Sequence, residues 1–186
     1  MHLIKTNDAT ILIDPFRLSE LSSLEAIGTP THVIICGNNH VRDAAFYRKR
    51  YGARICAHRD LMSKIDVSVD IFFVPGDMLL GLYQTIDMPG TFLGETALLY
   101  NLGERNALIV GDAFFNLQRE DFIVPGMKLV GFREKLNTMP HAFIKKRGFD
   151  SYRKILDYEF DTLLLSHGAP ILTGAKERVR DLVLSL

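Results

Sequence analysis

Polar residues that could do chemistry follow four short apolar runs of this sequence. Asn39 and His40 come shortly after THVIIC, and Thr91 comes after IDMPG. Asp112 follows ALIVG, and His167 follows LLLS. Because ligands of α/β proteins usually converge on loops at strand ends, we expect these side chains to share one site. Imidazole, carboxylate and amide groups could bind a metal ion there, or could only complete polar loops.

The first half of the chain supplies the elements that must carry the earliest of these residues. ATILIDPF is a β-branched run that predicts a strand ending in a turn, and THVIIC is typical of a strand buried on both faces. VRDAAFYRKRYGA has apolar residues at helical spacing, with Gly52 as its stop signal. ARICAH predicts another strand. Residues 31–58 therefore predict a strand–helix–strand unit with parallel strands.

The second half predicts more strands and then helices. ETALLYNLGERNALIVGD is typical of an antiparallel hairpin, and residues 133–158 have a helical, amphipathic composition. DTLLLSHG predicts a last buried strand and GAKERVRDLVLSL a closing helix. Strands flanked by helices at both ends favour a layered α/β sandwich. No linker or repeat divides the chain, so we expect a single domain over residues 1–186.

The composition excludes several classes of protein. The 22 basic residues balance the 22 acidic ones, which argues against partners such as nucleic acid or an anionic membrane. No apolar run is long enough to span a bilayer, and the first residues do not resemble a signal peptide. Cys36 and Cys56 both lie in apolar, strand-like segments, which favours a reducing compartment. We expect a cytoplasmic protein with a small-molecule substrate or ligand; its oligomeric state is left open.

Five segments in order resemble the metallo-β-lactamase superfamily, which includes the hydroxyacylglutathione hydrolases. They are ILIDP, VIICGNNHVRDA, MPGTFLGETALLY, ALIVGDAFF and LLLSHGAPIL. The resemblance implies a four-layer αββα sandwich with the site at one edge, between the two sheets. It also implies a degenerate metal site, because the H-x-H-x-D-H motif falls on residues 35–40 and keeps only its last histidine, as His40.

The resemblance implies that the first of the family's two metal positions is lost. Its three histidines would fall on Ile35, Gly37 and Thr91, none of which offers an imidazole. Only the bridging aspartate, Asp112, remains of that position. Two-metal hydrolysis in the family's manner is therefore not expected.

The second metal position is largely kept. The resemblance places His40, Asp112 and His167 there, with the family's aspartate changed to Asn39. Two imidazoles and a carboxylate suit Zn, Fe, Mn or Ni and leave open positions for water or substrate. The main hypothesis is a metal-dependent hydrolase with at most one metal, whose bound water attacks an ester, thioester or phosphoester. In this hypothesis Asp112 and His40 are catalytic, and Thr91 binds substrate.

Simpler interpretations stay open. His40 could cap the following helix, Asp112 could cap a turn after its glycine, and His167 could bind the nearby backbone. The chain would then bind no metal and be a non-catalytic binding protein with this fold. A third hypothesis is a mononuclear non-haem iron oxidoreductase, because two histidines and one carboxylate also bind iron in such enzymes.

Overall fold

The computed structural model describes residues 1–88, 93–103, 105–116, 137–138 and 146–184. Its strands are β1 (His2–Lys5), β2 (Thr10–Ile13), β3 (His32–Ile35), β4 (Arg54–His58), β5 (Ile71–Phe73), β6 (Met78–Leu79), β7 (Tyr83–Asp87), β8 (Thr96–Asn101), β9 (Asn106–Val110), β10 (Phe114–Phe115), β11 (Asn137–Thr138) and β12 (Thr162–Leu165). Its α-helices are α1 (Ser22–Ile27), α2 (Ala44–Tyr51), α3 (Lys146–Lys154) and α4 (Ala175–Leu184), and 3-10 helices cover Asn38–His40, Arg59–Leu61 and Ile155–Asp157.

The strands form two five-stranded sheets and one short pair. The first sheet has the order β1-β2-β3-β4-β5, and only its β1–β2 pair is antiparallel. The second has the order β12-β9-β8-β7-β6, and only its β12–β9 pair is parallel. The parallel strands matter for the site, because the carboxyl ends of parallel neighbours lie at the same edge of a sheet.

The two sheets pack face to face through apolar side chains. Ile11, Ile13 and Ile34 of the first sheet share one buried cluster with Leu98 and Ile109 of the second. The alternation of side chains along a strand sends every second residue to this inner face. Burial of this apolar surface is the main force that holds the sheets together.

Helices cover both outer faces. On the first sheet, α1 and α2 form the outer layer, where Tyr47 packs in a buried cluster with Leu12. On the second sheet, α3 and α4 form the outer layer, where Tyr152 and Val179 join Leu108 in another cluster. The order of layers is helix, sheet, sheet, helix, which confirms the αββα sandwich predicted from the sequence.

Most of the predicted local elements are present. In the predicted strand–helix–strand unit, β3 and β4 are parallel, with Val33 opposite Ile55. The predicted hairpin is β8–β9, and Gly103 in its turn has a φ of 83°, which glycine adopts without strain. The helix predicted over residues 133–158 is described only near its end, and Asn137–Thr138 form a strand, so that part of the prediction is wrong.

Two further features bear on the class of protein. Cys36 and Cys56 are both buried and unpaired, and burial raises the pKa of the Cys56 thiol to about 12. Thiols in such surroundings are poor nucleophiles. Within the ranges given above, no helix has the length and apolar character needed to cross a bilayer.

Candidate functional site

Loops from both sheets meet at one edge of the sandwich. Asp14 follows β2, and His40 ends the 3-10 helix that follows the parallel strand β3. Asp112 and His167 follow the parallel strands β9 and β12. Asp14 has a φ of 50°, a left-handed conformation that aspartate tolerates better than most residues.

His40 lies fully buried between two carboxylates. Its Nδ1 atom is 3.0 Å from Oδ2 of Asp14, and its Nε2 atom is 3.0 Å from Oδ1 of Asp112. Asp14 is held in turn, because its Oδ1 atom accepts a hydrogen bond from the backbone N–H of Cys36 at 2.8 Å. The hydroxyl of Ser166 donates to Oδ2 of Asp14 at 3.3 Å. The position of His40 is therefore fixed from both sheets.

His167 approaches the same carboxylate from the solvent side. Its Nε2 atom is 3.1 Å from Oδ1 of Asp112, and 41% of its side chain is exposed. The ring of Phe115 lies tilted against the imidazole, with 5.4 Å between the ring centres. Two imidazoles from separate strand ends thus meet one carboxylate oxygen, and only one of them can be reached from solvent.

The charged groups of this cluster shift one another's pKa values. Burial alone lowers the pKa of His40, but the carboxylates of Asp112 and Asp14 outweigh it and raise that pKa to about 10. Burial alone raises the pKa of Asp112, but His167 and His40 outweigh it and hold that pKa well below its ordinary value. In the absence of other ligands, an imidazolium between two carboxylates is the favoured state.

The cluster is nevertheless incompletely hydrogen-bonded. Both ring nitrogens of His40 and Oδ1 of Asp112 are buried without a hydrogen-bond partner among the described residues. They meet as ion pairs at 3.0 Å without forming hydrogen bonds to one another. Buried polar atoms without partners are uncommon in proteins, and a ligand that binds there would satisfy them.

These residues fit a divalent ion in the kind of donor and in their unpaired atoms. Two imidazole nitrogens and a carboxylate oxygen are ordinary ligands of Zn, Fe, Mn and Ni. In the part of the chain that the structure describes, no group of three or more His, Cys, Asp or Glu is arranged so that it could hold a metal ion. His40, Asp112 and His167 would therefore have to move from these positions in order to hold an ion, which would supply a Lewis acid there.

The other metal position implied by the sequence does not fit an ion. Ile35 is buried within β3 and Gly37 has no side chain. Thr91, expected to contact substrate, lies outside the described residues. Asn39 is exposed on the 3-10 helix, and its side chain forms no hydrogen bond with the described residues. The structure thus brings together His40, Asp112 and His167 but not Asn39.

Two acidic residues at the site had no role assigned from the sequence. Asp14 could have been noticed, because it directly follows the apolar run ILI at a strand end. Glu95 precedes β8, and its side chain is only 1% exposed. Burial raises the pKa of Glu95 to about 8, although the charge of His40 opposes this effect. A glutamate next to the buried strand sequence TALL was the only signal for it.

The chain is similar to known families over nearly its whole length. A family model described as the metallo-beta-lactamase superfamily matches residues 2–186. No curated protein matches the chain. The family named from the sequence is thereby confirmed, whereas the likeness to hydroxyacylglutathione hydrolases in particular stays a prediction.

Solved structures with the same fold span most of the chain. TTHA1623 in a di-iron-bound form has a TM-score of 0.65 at 19% identity, over 96% of this chain and 91% of its own. BJP-1, a subclass B3 metallo-β-lactamase of Bradyrhizobium japonicum, has a TM-score of 0.65 at 18% identity, over 99% and 83%. A flavoprotein from Thermotoga maritima has a TM-score of 0.68 at 15% identity, over 98% and 50%. At such identities, these similarities show the fold alone.

Proposed function

Because the chain belongs to the metallo-β-lactamase superfamily, we propose that it is a metal-dependent hydrolase with at most one divalent ion. His40, Asp112 and His167 would hold the ion, and the exposed side chain of Asn39 would have to turn toward them for its carbonyl oxygen to be a weaker fourth donor. The substrate class is a small-molecule ester, thioester or phosphoester, and Thr91 would bind it. Superfamily membership supports metal-dependent hydrolysis in general; the metal number, the donors and the substrate class are proposed here.

The observation that carries the proposal is the convergence of two Nε2 atoms on one carboxylate oxygen. His40 and His167 come from different sheets, yet their Nε2 atoms lie 3.0 and 3.1 Å from Oδ1 of Asp112. A purely structural ion pair would be expected to complete its hydrogen bonds, but Nε2 of His40 and Oδ1 of Asp112 have none with the described residues.

The residues behind the cluster prepare His40 as a donor. Asp14 lies 3.0 Å from Nδ1, which favours a proton on that atom and leaves the lone pair of Nε2 for the site. Release of the Nε2 proton is then the step that exchanges the ion-pair state for the ligand-binding state. Mutation of a residue that orients a ligating histidine in this way commonly lowers metal affinity 10- to 100-fold.

The solvent side of the cluster is where substrate would approach. A divalent ion bound there would supply a Lewis acid and lower the pKa of a coordinated water. His167 is the exposed member, and Phe115 packs against its ring and limits its rotation. Asp112 contacts His167 from the buried side of the cluster. The carboxylate of Asp112 can therefore orient a water molecule or accept a proton from that water. Asn39 directly precedes His40 in sequence, and its side chain is exposed.

Metal content tests the proposal directly. We expect untagged protein to contain about one ion of Zn, Mn, Fe or Ni per chain, and the His167→Ala variant to contain none. His32→Ala is the matched control, because His32 lies at the opposite end of β3 and should leave the metal content unchanged. Wild-type protein that carries no stoichiometric metal, and gains no thermal stability from any of the four ions, would contradict the proposal.

Activity measurements then separate the remaining functions. Turnover on an ester, thioester and phosphodiester panel above a His40→Ala control would support hydrolysis. Iron content with oxygen consumption would instead support the non-haem iron oxidoreductase. A non-catalytic binding protein is favoured by the ion pairs of His40 with two carboxylates, because an imidazolium there offsets part of their negative charge without an ion. That function requires both metal and turnover to be absent.

A further inference from the structure

The carboxyl group of Glu95 lies inside the site, on the side away from solvent. Its Oε1 atom accepts a hydrogen bond from the backbone N–H of Asp112 at 2.8 Å. Its Oε2 atom is buried and has no hydrogen-bond partner among the described residues. The backbone around Glu95 is also fixed, because its carbonyl accepts from Met88 N–H at 3.0 Å. The side chain is therefore held in one place rather than free to turn outward.

Two glycines make the space that this carboxyl group fills. A Cβ atom on Gly37 would lie 2.5 Å from Oε2 of Glu95, and one on Gly111 would lie 2.5 Å from Oε1. The Gly111 position is also 3.5 Å from Nε2 of His40. Gly37 has an extended backbone, with φ −178° and ψ 167°, which any residue can adopt. The glycine at position 37 is thus explained by the Glu95 side chain and not by backbone strain.

From this geometry we infer that Glu95 is a positioning residue that replaces a second ion. Its hydrogen bond to the Asp112 backbone holds that aspartate where Oδ1 faces both imidazoles. Its carboxyl group fills the inner space beside residue 37, so the cluster has room for an ion only on the His167 side. The positioning of Asp112 by Glu95 does not depend on the proposed function, whereas the limit of one ion rests on it.

Metal affinity distinguishes a positioning role of Glu95 from two alternatives: that its charge is itself a ligand of the ion, or that it has no effect on the metal site. Glu95→Gln keeps the acceptor for the Asp112 N–H and nearly the same volume, so its Zn affinity should stay within about twofold of wild type. Glu95→Ala removes both and should bind about 10- to 100-fold more weakly, the usual effect of changing a residue behind a metal ligand. Equal weakening in both variants would show that the charge of Glu95 is itself a ligand. Unchanged affinity in both, or two ions per wild-type chain, would also overturn the inference.

A second experiment uses metal-free protein and does not depend on the proposed function. Introduced into the wild-type sequence, Gly37→Ala should lower the Tm, because the new methyl group meets Oε2 of Glu95. Introduced into the Glu95→Ala variant, the same substitution should not lower the Tm further. The imidazole ¹⁵N resonances of His40 and His167 should shift in Glu95→Ala and stay near wild type in Glu95→Gln. An equal loss of Tm in both backgrounds, or unshifted resonances, would overturn the inference. Wild-type protein without any metal would overturn only the proposed function and the limit of one ion.

Discussion

Two aspartates in this molecule each bind basic side chains, but in different surroundings. Asp70 lies on the surface, where both guanidinium Nη atoms of Arg48 donate to its two oxygens. The backbone N–H of Ile55 also donates to Oδ2 of Asp70 at 2.8 Å. Asp112 is largely buried and meets the imidazoles of His40 and His167. The pKa of each aspartate is lowered by its basic partners.

The two aspartates differ in how many of their carboxylate oxygens accept hydrogen bonds. Both oxygens of Asp70 accept hydrogen bonds, and these bonds join α2 to the first sheet. Oδ1 of Asp112 has two ion-pair contacts but no hydrogen bond among the described residues. A buried cluster that lacks hydrogen bonds, although its neighbours are rigidly held, supports the ligand site proposed above.

The largest expected effect on stability comes from the buried cluster. Asp14→Asn should lower the free energy of unfolding of metal-free protein by about 3 kcal/mol, since removing one partner of a buried ion pair leaves the other charge uncompensated. Chemical denaturation measures this change, and Asp66→Asn on the exposed surface is the matched control. A loss no greater than that of the control would mean that His40 is not held as an imidazolium.

The surface pair should matter much less. Asp70→Asn should cost about 1 kcal/mol of unfolding free energy, because the Ile55 N–H loses a charged acceptor but the site stays open to water. Metal content should not change in this variant. If it destabilised the protein as much as Asp14→Asn, the contrast between the buried and the exposed aspartate would be lost.

His167→Ala should separate stability from binding. Because 41% of the His167 side chain is exposed, we expect its removal to change the free energy of unfolding by only about 0.5 kcal/mol. The same variant should lose its bound metal. Denaturation and elemental analysis on one preparation would measure both effects. A large loss of stability in the metal-free variant would instead assign His167 a structural role like that of Arg48 at Asp70.

The smallest expected effect is a dependence on pH at Asp70. Hydrogen bonds from Arg48 and from the Ile55 backbone lower the pKa of Asp70, so its stabilising contribution is present above the unfolded pKa, which is near 4. That contribution is lost as the pH falls through the lower, folded pKa. The stability difference between wild type and Asp70→Asn should therefore narrow between pH 6 and pH 3. A difference that is constant with pH would show that Asp70 contributes by packing alone.

Much of the architecture could be predicted because it depends on local patterns. The apolar runs around Ile13 and Ile34 mark strands buried on both faces, and the spacing of aromatic residues near Tyr47 marks a helix that covers them. Five such segments in a fixed order were enough to predict the family and the αββα layers. The helix predicted before α3 was partly wrong, because the strand Asn137–Thr138 pairs with Phe114–Phe115, a partner that is distant in sequence.

The candidate site also has features that the sequence predicts and features that depend on the tertiary structure. The sequence alone predicted His40, Asp112 and His167 as candidate ligands of an ion, since they follow strands and carry suitable donor atoms. Only the tertiary structure decided that Asp14 faces Nδ1 of His40 and that the carboxyl group of Glu95 fills the space beside Gly37. Such contacts depend on how distant strand ends meet once the sheets have paired and packed. The periodicity of a segment reflects only its own local structure. It therefore does not predict contacts between side chains that are distant in the sequence.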